Sequence, residues 1–383
     1  MTEVNPVMGG HVCVPSPIAP SSGQPANKYL GSQDINLSLS FFSSVAVDDQ
    51  APRYDLLMRC VELADREGLH AVWLPERHFG DFGELFPNPS VVAAAISGLT
   101  RQIGIRAGSV VAPLHDPLRL VEEWSVVDNL SGGRVGISFA SGWNPDDFVL
   151  SPDSFEARRS ITSEVIDTVR LLWSGESIRR RNGTGAWVDV FSRPRPLCKH
   201  LPTWLTVVRA DGFSRAAQMG VNVLTGMMEL KEAELAVAIR NYRAEHPKPA
   251  ESRVTLLLHT YIDPTHGRAA DLARGPLARY LGSHLKSGES AMATNGDLSN
   301  VIGTVNNTDK DAILMHMARR YIANRSMIGT PAEAVSVCQR LAAAGVDEIA
   351  CLVDFGLTPD HVLAGMEQLL RVRDTLALGR SVR

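Results

Sequence analysis

The chain has 383 residues, 44% hydrophobic and 21% charged, and its 38 Lys+Arg against 42 Asp+Glu leave a net charge of −4. These are ordinary globular proportions; with no dense basic block, nucleic acid is not expected as a partner, and no apolar run approaches the ~18 residues of a membrane span. The five cysteines, Cys13, Cys60, Cys198, Cys338 and Cys351, are scattered without a Cys-x-x-Cys, which argues against a disulfide frame or a zinc site, and no metal is expected.

The N-terminus has no basic start followed by an apolar core, so a signal peptide is not expected and the reading is cytoplasmic. Residues 1–33 are rich in Pro, Ser and Gly (His11 to Pro25 above all) and too poor in apolar residues to fold alone, and read as a flexible arm. From Ile35 the chain alternates strand and helix. Ile35 to Phe42 alternates apolar and polar residues and reads as a strand. Pro52 to Gly68 reads as a helix with Leu57, Met58, Val61 and Ala64 on one face and a glycine stop. The short apolar run Leu69 to Leu74 is a buried strand that ends at Pro75 and runs into Glu76-Arg77-His78-Phe79.

Pro89 to Leu99 is a helix of small apolar residues, and Ile103 to Val111 a strand rich in β-branched residues. Pro117 to Leu130 is a helix closed by Ser131-Gly132-Gly133, Val135 to Ala140 a strand, and Phe155 to Trp173 a helix with an Ile161/Val165/Val169/Leu172 stripe. Asn182-Gly183-Thr184-Gly185 is the turn of an extra hairpin. Pro202–Val208, Val221–Thr225 and Val254–Tyr261 are further strands. The segment 284–310 is polar and weakly patterned, a lid or an unstructured insertion. Thr330-Pro331-Ala332-Glu333 is a capping box with proline at the first helical position. Ile349 to Val353 is the last strand, and the helix after it opens at Thr358-Pro359-Asp360.

Eight short strands alternating with amphipathic helices predict a parallel sheet, and eight units favour a closed (β/α)8 barrel, an α/β fold expected over residues 34–376. No Gly-x-Gly-x-x-Gly follows the first strand and no P-loop is present, which weighs against a dinucleotide fold or an NTPase. In such a barrel ligands bind at the carboxyl ends of the strands, so chemistry is expected where those ends carry polar residues. Glu76, Arg77 and His78 are the catalytic candidates on this ground, the histidine because it titrates near neutral pH. The bland reading of the same residues is a strand-end salt-bridge cluster. Other tips carry Ser109, His115, Ala140, Ser141, Trp143, Asn144, Asp147, Arg209, Gly212, Thr225, Met227 and His259. Ser131-Gly132-Gly133-Arg134 precedes a strand, on the opposite face, where a structural role is expected.

The combination Trp73-Leu74-Pro75-Glu76-Arg77-His78-Phe79, Pro87-Asn88-Pro89-Ser90, Ala107-Gly108-Ser109-Val110-Val111, Pro117-Leu118-Arg119, Asp128 to Arg134, Gly142-Trp143-Asn144-Pro145-Asp146-Asp147-Phe148 and Val346 to Gly356 resembles the bacterial-luciferase-like flavin monooxygenases. More narrowly, it resembles their branch in natural-product biosynthesis, standalone or within peptide and polyketide synthases. The resemblance spans about Ile35 to Arg373. It implies a monooxygenase that takes reduced FMN from a separate flavin reductase, uses O2 through a C4a-peroxide, and hydroxylates an organic intermediate, free or carrier-tethered. It also implies a homodimer, with neither nucleic acid nor membrane involved.

On the same basis His78, with Arg77 and Glu76, would do the proton chemistry. Ser109, Ala140, Ser141, Asp147, Arg209, Gly212 and Thr225 would hold the flavin. Phe42, His115, Trp143, Asn144, Met227 and His259 would line the substrate pocket, and a non-proline cis peptide at Gly108–Ser109 would press on the flavin ring. Luciferase itself has two consecutive histidines where this chain has Arg77-His78, and a cysteine where it has Ala140, so hydroxylation rather than light emission is expected. At the phosphate loop, Arg209 would grip the phosphate and Gly212 admit the helix N-terminus, while Asp211 beside them is unfavourable to an anion. Two alternatives of other kinds stay open: a deazaflavin-dependent hydride transferase on the same fold, and a non-catalytic flavin-binding partner subunit.

Overall fold

The computed structural model describes residues 35–42, 54–80, 83–228, 230–287 and 307–381. The expected arm over 1–33 and the middle of the expected insertion, 288–306, lie outside the described residues. Eight parallel strands form a ring: β1 (Asn36–Ser40), β2 (Ala71–Leu74), β3 (Gly104–Val111), β4 (Val135–Ala140), β7 (Thr203–Thr206), β8 (Asn222–Gly226), β9 (Val254–Ile262) and β11 (Glu348–Leu352). The ring closes because β11 pairs with β1 (Leu37 opposite Ile349, Ser40 opposite Leu352) and β8 with β9. This is the (β/α)8 barrel that the alternation predicts.

Side chains along each strand point alternately outward and inward, and the sequence uses this period. Leu37, Leu39, Val72, Leu74, Ile105, Ile137 and Phe139 join the main hydrophobic core with the helices. Their neighbours Trp73, Trp204, Leu224 and Ala350 form a separate cluster inside the barrel. The helices around it are α1 (Asp55–Glu67), α2 (Pro89–Leu99), α3 (Pro117–Ser131), α4 (Arg158–Ser174), α5 (Ala210–Gln218), α6 (Glu232–Glu245), α7 (Arg268–Ser287), α8 (Asn307–Arg325), α9 (Pro331–Ala343) and α10 (Pro359–Ser381).

Local chemistry sets the helix starts. The Asn88 side chain accepts from the amides of Ser90 and Val91, Asp116 accepts from Leu118, and Thr330 with Glu333 completes a reciprocal capping box. At the N-terminal face of the barrel, Arg134 donates to the carbonyls of Ser131, Thr100 and Ile103 and ties two loops together. That is the structural role its position before a strand implies.

Two features depart from the sequence reading, β10 and the length of the weakly patterned stretch, while the hairpin follows it. A short strand, β10 (Met327–Gly329), runs parallel beside β9, and no periodicity marks so brief an element. The expected hairpin forms from β5 (Ile178–Arg181) and β6 (Trp187–Val190), with Asn182 Oδ1 accepting from the amides of Thr184 and Ala186, and exposes residues on both faces. The weakly patterned stretch is shorter than 284–310, because α7 continues through Ser287 and α8 begins at Asn307. Among the described residues, no helix is long and apolar enough to cross a membrane.

Candidate active site

The carboxyl end of β2 supplies the centre of the site. Glu76 follows Leu74 and Pro75 and turns inward, its side chain fully enclosed. Its Oε2 accepts from the Val111 amide at the end of β3, 2.7 Å away. Its Oε1 meets two imidazoles, His78 Nε2 at 2.9 Å and His115 Nε2 at 2.7 Å. Burial pushes the Glu76 carboxyl up, yet the hydrogen bonds from His115, His78 and Val111 outweigh it and hold Glu76 below the ordinary carboxylate range. For His115 burial works downward, and the bond and charge of Glu76 raise it overall. Glu76 was expected among the catalytic groups. It is enclosed, and its two oxygens meet both histidines and the Val111 amide.

Arg77 points into a second cluster. Its guanidinium lies 3.6 Å from Asp147 and stacks over the Trp143 ring at 4.6 Å, while Asn144 Nδ2 donates to Asp147 Oδ1 at 2.7 Å. Burial lowers the Arg77 pKa and raises that of Asp147, each against the attraction of the other. Asp147, expected at the flavin, is therefore engaged by the protein's own arginine. The loop approaches closely because Gly142, at φ +77, sits where a Cβ would lie 2.7 Å from Phe148.

A third group lines the barrel's upper interior. The Gly108–Ser109 peptide is cis, and the register between β3 and β4 shifts there. Ser109 Oγ bonds Thr206 Oγ1 at the end of β7, and Thr206 also bonds Ser138 Oγ of β4 at 2.7 Å. Ser40, at the end of β1, is buried and its hydroxyl has no hydrogen-bond partner among the described residues. On the far side His259 Nδ1 meets the Tyr321 hydroxyl at 3.0 Å, and its ring packs edge-on against Tyr280 and Phe355. Phe42 packs edge-on against the same Tyr280. Burial raises the pKa of both tyrosines, so both stay neutral hydrogen-bonding groups.

Other expected residues sit apart. Arg209 and Asp211 are largely exposed and 3.9 Å apart at the start of α5. Gly212 allows α5 to close on β7, since a Cβ there would lie 2.7 Å from the Val207 Cβ. Leu224 faces the barrel interior, so alternation turns Thr225 to the helix side, where its buried hydroxyl has no partner among the described residues. Thr225 thus does not face the mouth as expected. Met227 is buried in the main core. Ala140, the last residue of β4, and Ser141 and Trp143 after it are half-buried. Sequence reasoning missed Ser40, Ser138 and Thr206, which alternation alone could have flagged as inward, and Tyr280 and Tyr321, which no local signal marks.

The polar inventory fits a flavin. A row of hydroxyls, one of them unspent at Ser40, and the aromatic Trp143 suit a flat heteroaromatic ring with a hydrogen-bonding edge. The exposed Arg209 at a helix N-terminus suits a phosphate.

The family model for luciferase-like monooxygenases matches residues 35–348. The oxygenase component of the flavin-dependent trigonelline monooxygenase of Acinetobacter baylyi is 24% identical over 333 residues, 84% of this chain and 89% of that protein. Limonene 1,2-monooxygenase of Rhodococcus erythropolis is 25% identical over 293 residues, 74% of this chain and 70% of that protein. Among solved structures, the monooxygenase RslO1 from Streptomyces bottropensis superposes with a TM-score of 0.68 at 20% identity, over 88% of this chain and 98% of that one, a likeness of fold. Because the family match runs from β1 to the first residue of β11 and so takes in nearly the whole barrel, the chain belongs to the luciferase-like monooxygenase family.

Proposed function

We propose that this chain is the oxygenase component of a two-component system that hydroxylates an organic intermediate of secondary metabolism, free or carrier-tethered, with reduced FMN and O2. The observation that carries the reading is the enclosed Glu76 carboxylate holding His78 at the carboxyl end of β2, beside the hydroxyl row of Ser109, Ser138 and Thr206. Bound reduced flavin supplies the activation of dioxygen. The chain's residues do the rest. Ser109, Ser138, Thr206 and Ser40 offer hydrogen bonds to the polar edge of the ring, with Ala140 and Ser141 alongside, and Arg209 with the start of α5 holds the phosphate.

His78 presents its second ring nitrogen, Nδ1, away from Glu76 and holds or delivers a proton there. Trp143, stacked under Arg77, and the Phe42–Tyr280–His259 group wall the substrate side and keep water out. A flavin reductase supplies the cofactor transiently. A second copy of the chain is the other partner: Val91 and Leu99 on α2 and Val126 and Leu130 on α3 leave large apolar side chains exposed on two adjacent helices.

The test is oxygen uptake with FMN, NADH and a generic reductase, together with product analysis. Uptake that depends on reduced FMN and yields oxygenated product supports the reading. Hydride transfer from a reduced deazaflavin without oxygen uptake would replace it. His78→Ala should lower product while leaving FMN binding intact and diverting oxygen to hydrogen peroxide. Wild-type coupling in that variant would remove His78 from the chemistry.

A further inference from the structure

His115 follows the short helical turn Ala112–Leu114 after β3, in the loop that leads into α3. Its Nε2 and that of His78 meet the same Glu76 oxygen, while the other oxygen is taken by the Val111 amide. An ionised carboxylate only accepts hydrogen bonds, so each of the two Nε2 atoms must carry its proton. His78 is thereby confined to the form in which Nε2 is the N–H and Nδ1 is the nitrogen free to act at the mouth. One carboxylate and one histidine alone would not enforce this. Burial works to protonate Glu76, and a protonated Glu76 would donate to Nε2 and drive the proton of His78 to Nδ1.

What keeps Glu76 ionised is led by the hydrogen bond from His115. The charges around His115 favour its cation: Glu76 beyond β2 and Glu123 of α3 both raise its pKa. Asp116, next in the loop, lies 4.0 Å from Arg180 of β5. His115, Asp116, Arg180 and Glu164 of α4 border one polar cavity of about 420 Å³.

We propose that His115 is a positioning residue that acts through Glu76 to set the tautomer of His78, rather than a contact for the substrate. The inference rests on the reading of His78 as the proton-handling group. Raising the pH through the raised pKa of His115 removes its charge but leaves its Nε2–H on Glu76, so the His78 tautomer is held on both sides of that pKa.

The test is imidazole nitrogen NMR on the flavin-free protein, paired with steady-state kinetics. In the wild type His78 should read as the Nε2–H form once neutral. In His115→Ala it should shift toward Nδ1–H, with kcat reduced roughly ten- to hundredfold, within the range of a general acid–base contribution, and KM little changed. His115→Gln, which restores an N–H donor, should recover the tautomer and a kcat near that of the wild type; it also serves if the alanine variant fails to fold, since a lost tautomer there would overturn the proposal. An unchanged His78 tautomer in both variants, or a KM rise at constant kcat, would overturn the proposal. The NMR result requires no turnover. If the tautomer moves but His78→Ala retains full coupling, the functional reading fails while the positioning role stands.

Discussion

Glu348→Gln should destabilise the barrel from within. Glu348 opens β11 and points into the lower interior, 5% exposed. Its four neighbours all donate: Ser38 Oγ at 2.5 Å and Trp73 Nε1 at 2.8 Å to Oε1, Arg106 Nη1 at 2.5 Å and Thr255 Oγ1 at 3.4 Å to Oε2. Arg106 is itself buried between the rings of Trp73 and Trp204, 4.9 and 4.7 Å away, and also meets His70 at 2.8 Å. Burial works to raise the Glu348 pKa, but Arg106, then His70 and the hydrogen bonds, pull it down to about 2. A carboxyl carried from 4.5 to about 2 on folding contributes on the order of 3 kcal/mol at pH 7.

Glutamine would take the negative charge away from a site that holds the buried Arg106 guanidinium and the Trp73 N–H, both donors only, and leave Arg106 without its anion, a loss of about 3–5 kcal/mol for breaking a buried pair. The two routes agree. Because the folded pKa is depressed, this stability is present above the unfolded value near 4.5 and is lost as the pH falls toward 2. Urea unfolding of wild type and variant should therefore differ by on the order of 3 kcal/mol at pH 7, and the difference should shrink between pH 5 and pH 3. A variant within about 1 kcal/mol of wild type at pH 7, or a gap that does not change with acid, would refute the argument.

Arg209→Ala should weaken FMN binding by on the order of 1.5 kcal/mol, the low end for a charge-assisted hydrogen bond because the side chain is 64% exposed, and fluorescence titration at low and high salt would read it. An affinity unchanged at both would return Arg209 to the solvated surface. Gly108→Ala should cost about 1–3 kcal/mol, because its Cβ would lie 2.9 Å from the Trp73 ring inside the barrel; a thermal midpoint equal to wild type would show that Trp73 can move aside.

Much of the frame was legible because its causes are local. The helix Pro89–Leu99 begins where Asn88 can cap it, and β4 runs from Val135 to Ala140 because apolar side chains recur there with the period of a strand. The hairpin turn at Asn182 is held by that residue's own side chain. The motif at the end of β2 was legible too, since titratable residues directly after a buried strand of a barrel have one place to go. Within that motif the roles were not legible. Glu76 and His115 are 39 positions apart, and only the closing of β3 against β2 brings both histidines onto one carboxylate oxygen.

Thr225 was assigned to the site because it ends a strand, yet its face depends on a register of alternation that Leu224, packed against Trp73 and Trp204, makes visible only in the assembled barrel. Ser138 and Thr206 were overlooked because a lone hydroxyl in an apolar strand has no partner within its own segment. Sequence by itself determined the eight strands of the ring, most of the helices and which strand ends carry polar residues, because caps, turns and alternation act between near neighbours. The tertiary structure alone decided which polar groups meet, because Ser38 donates to Glu348 across 310 positions only when β11 returns to close the ring on β1.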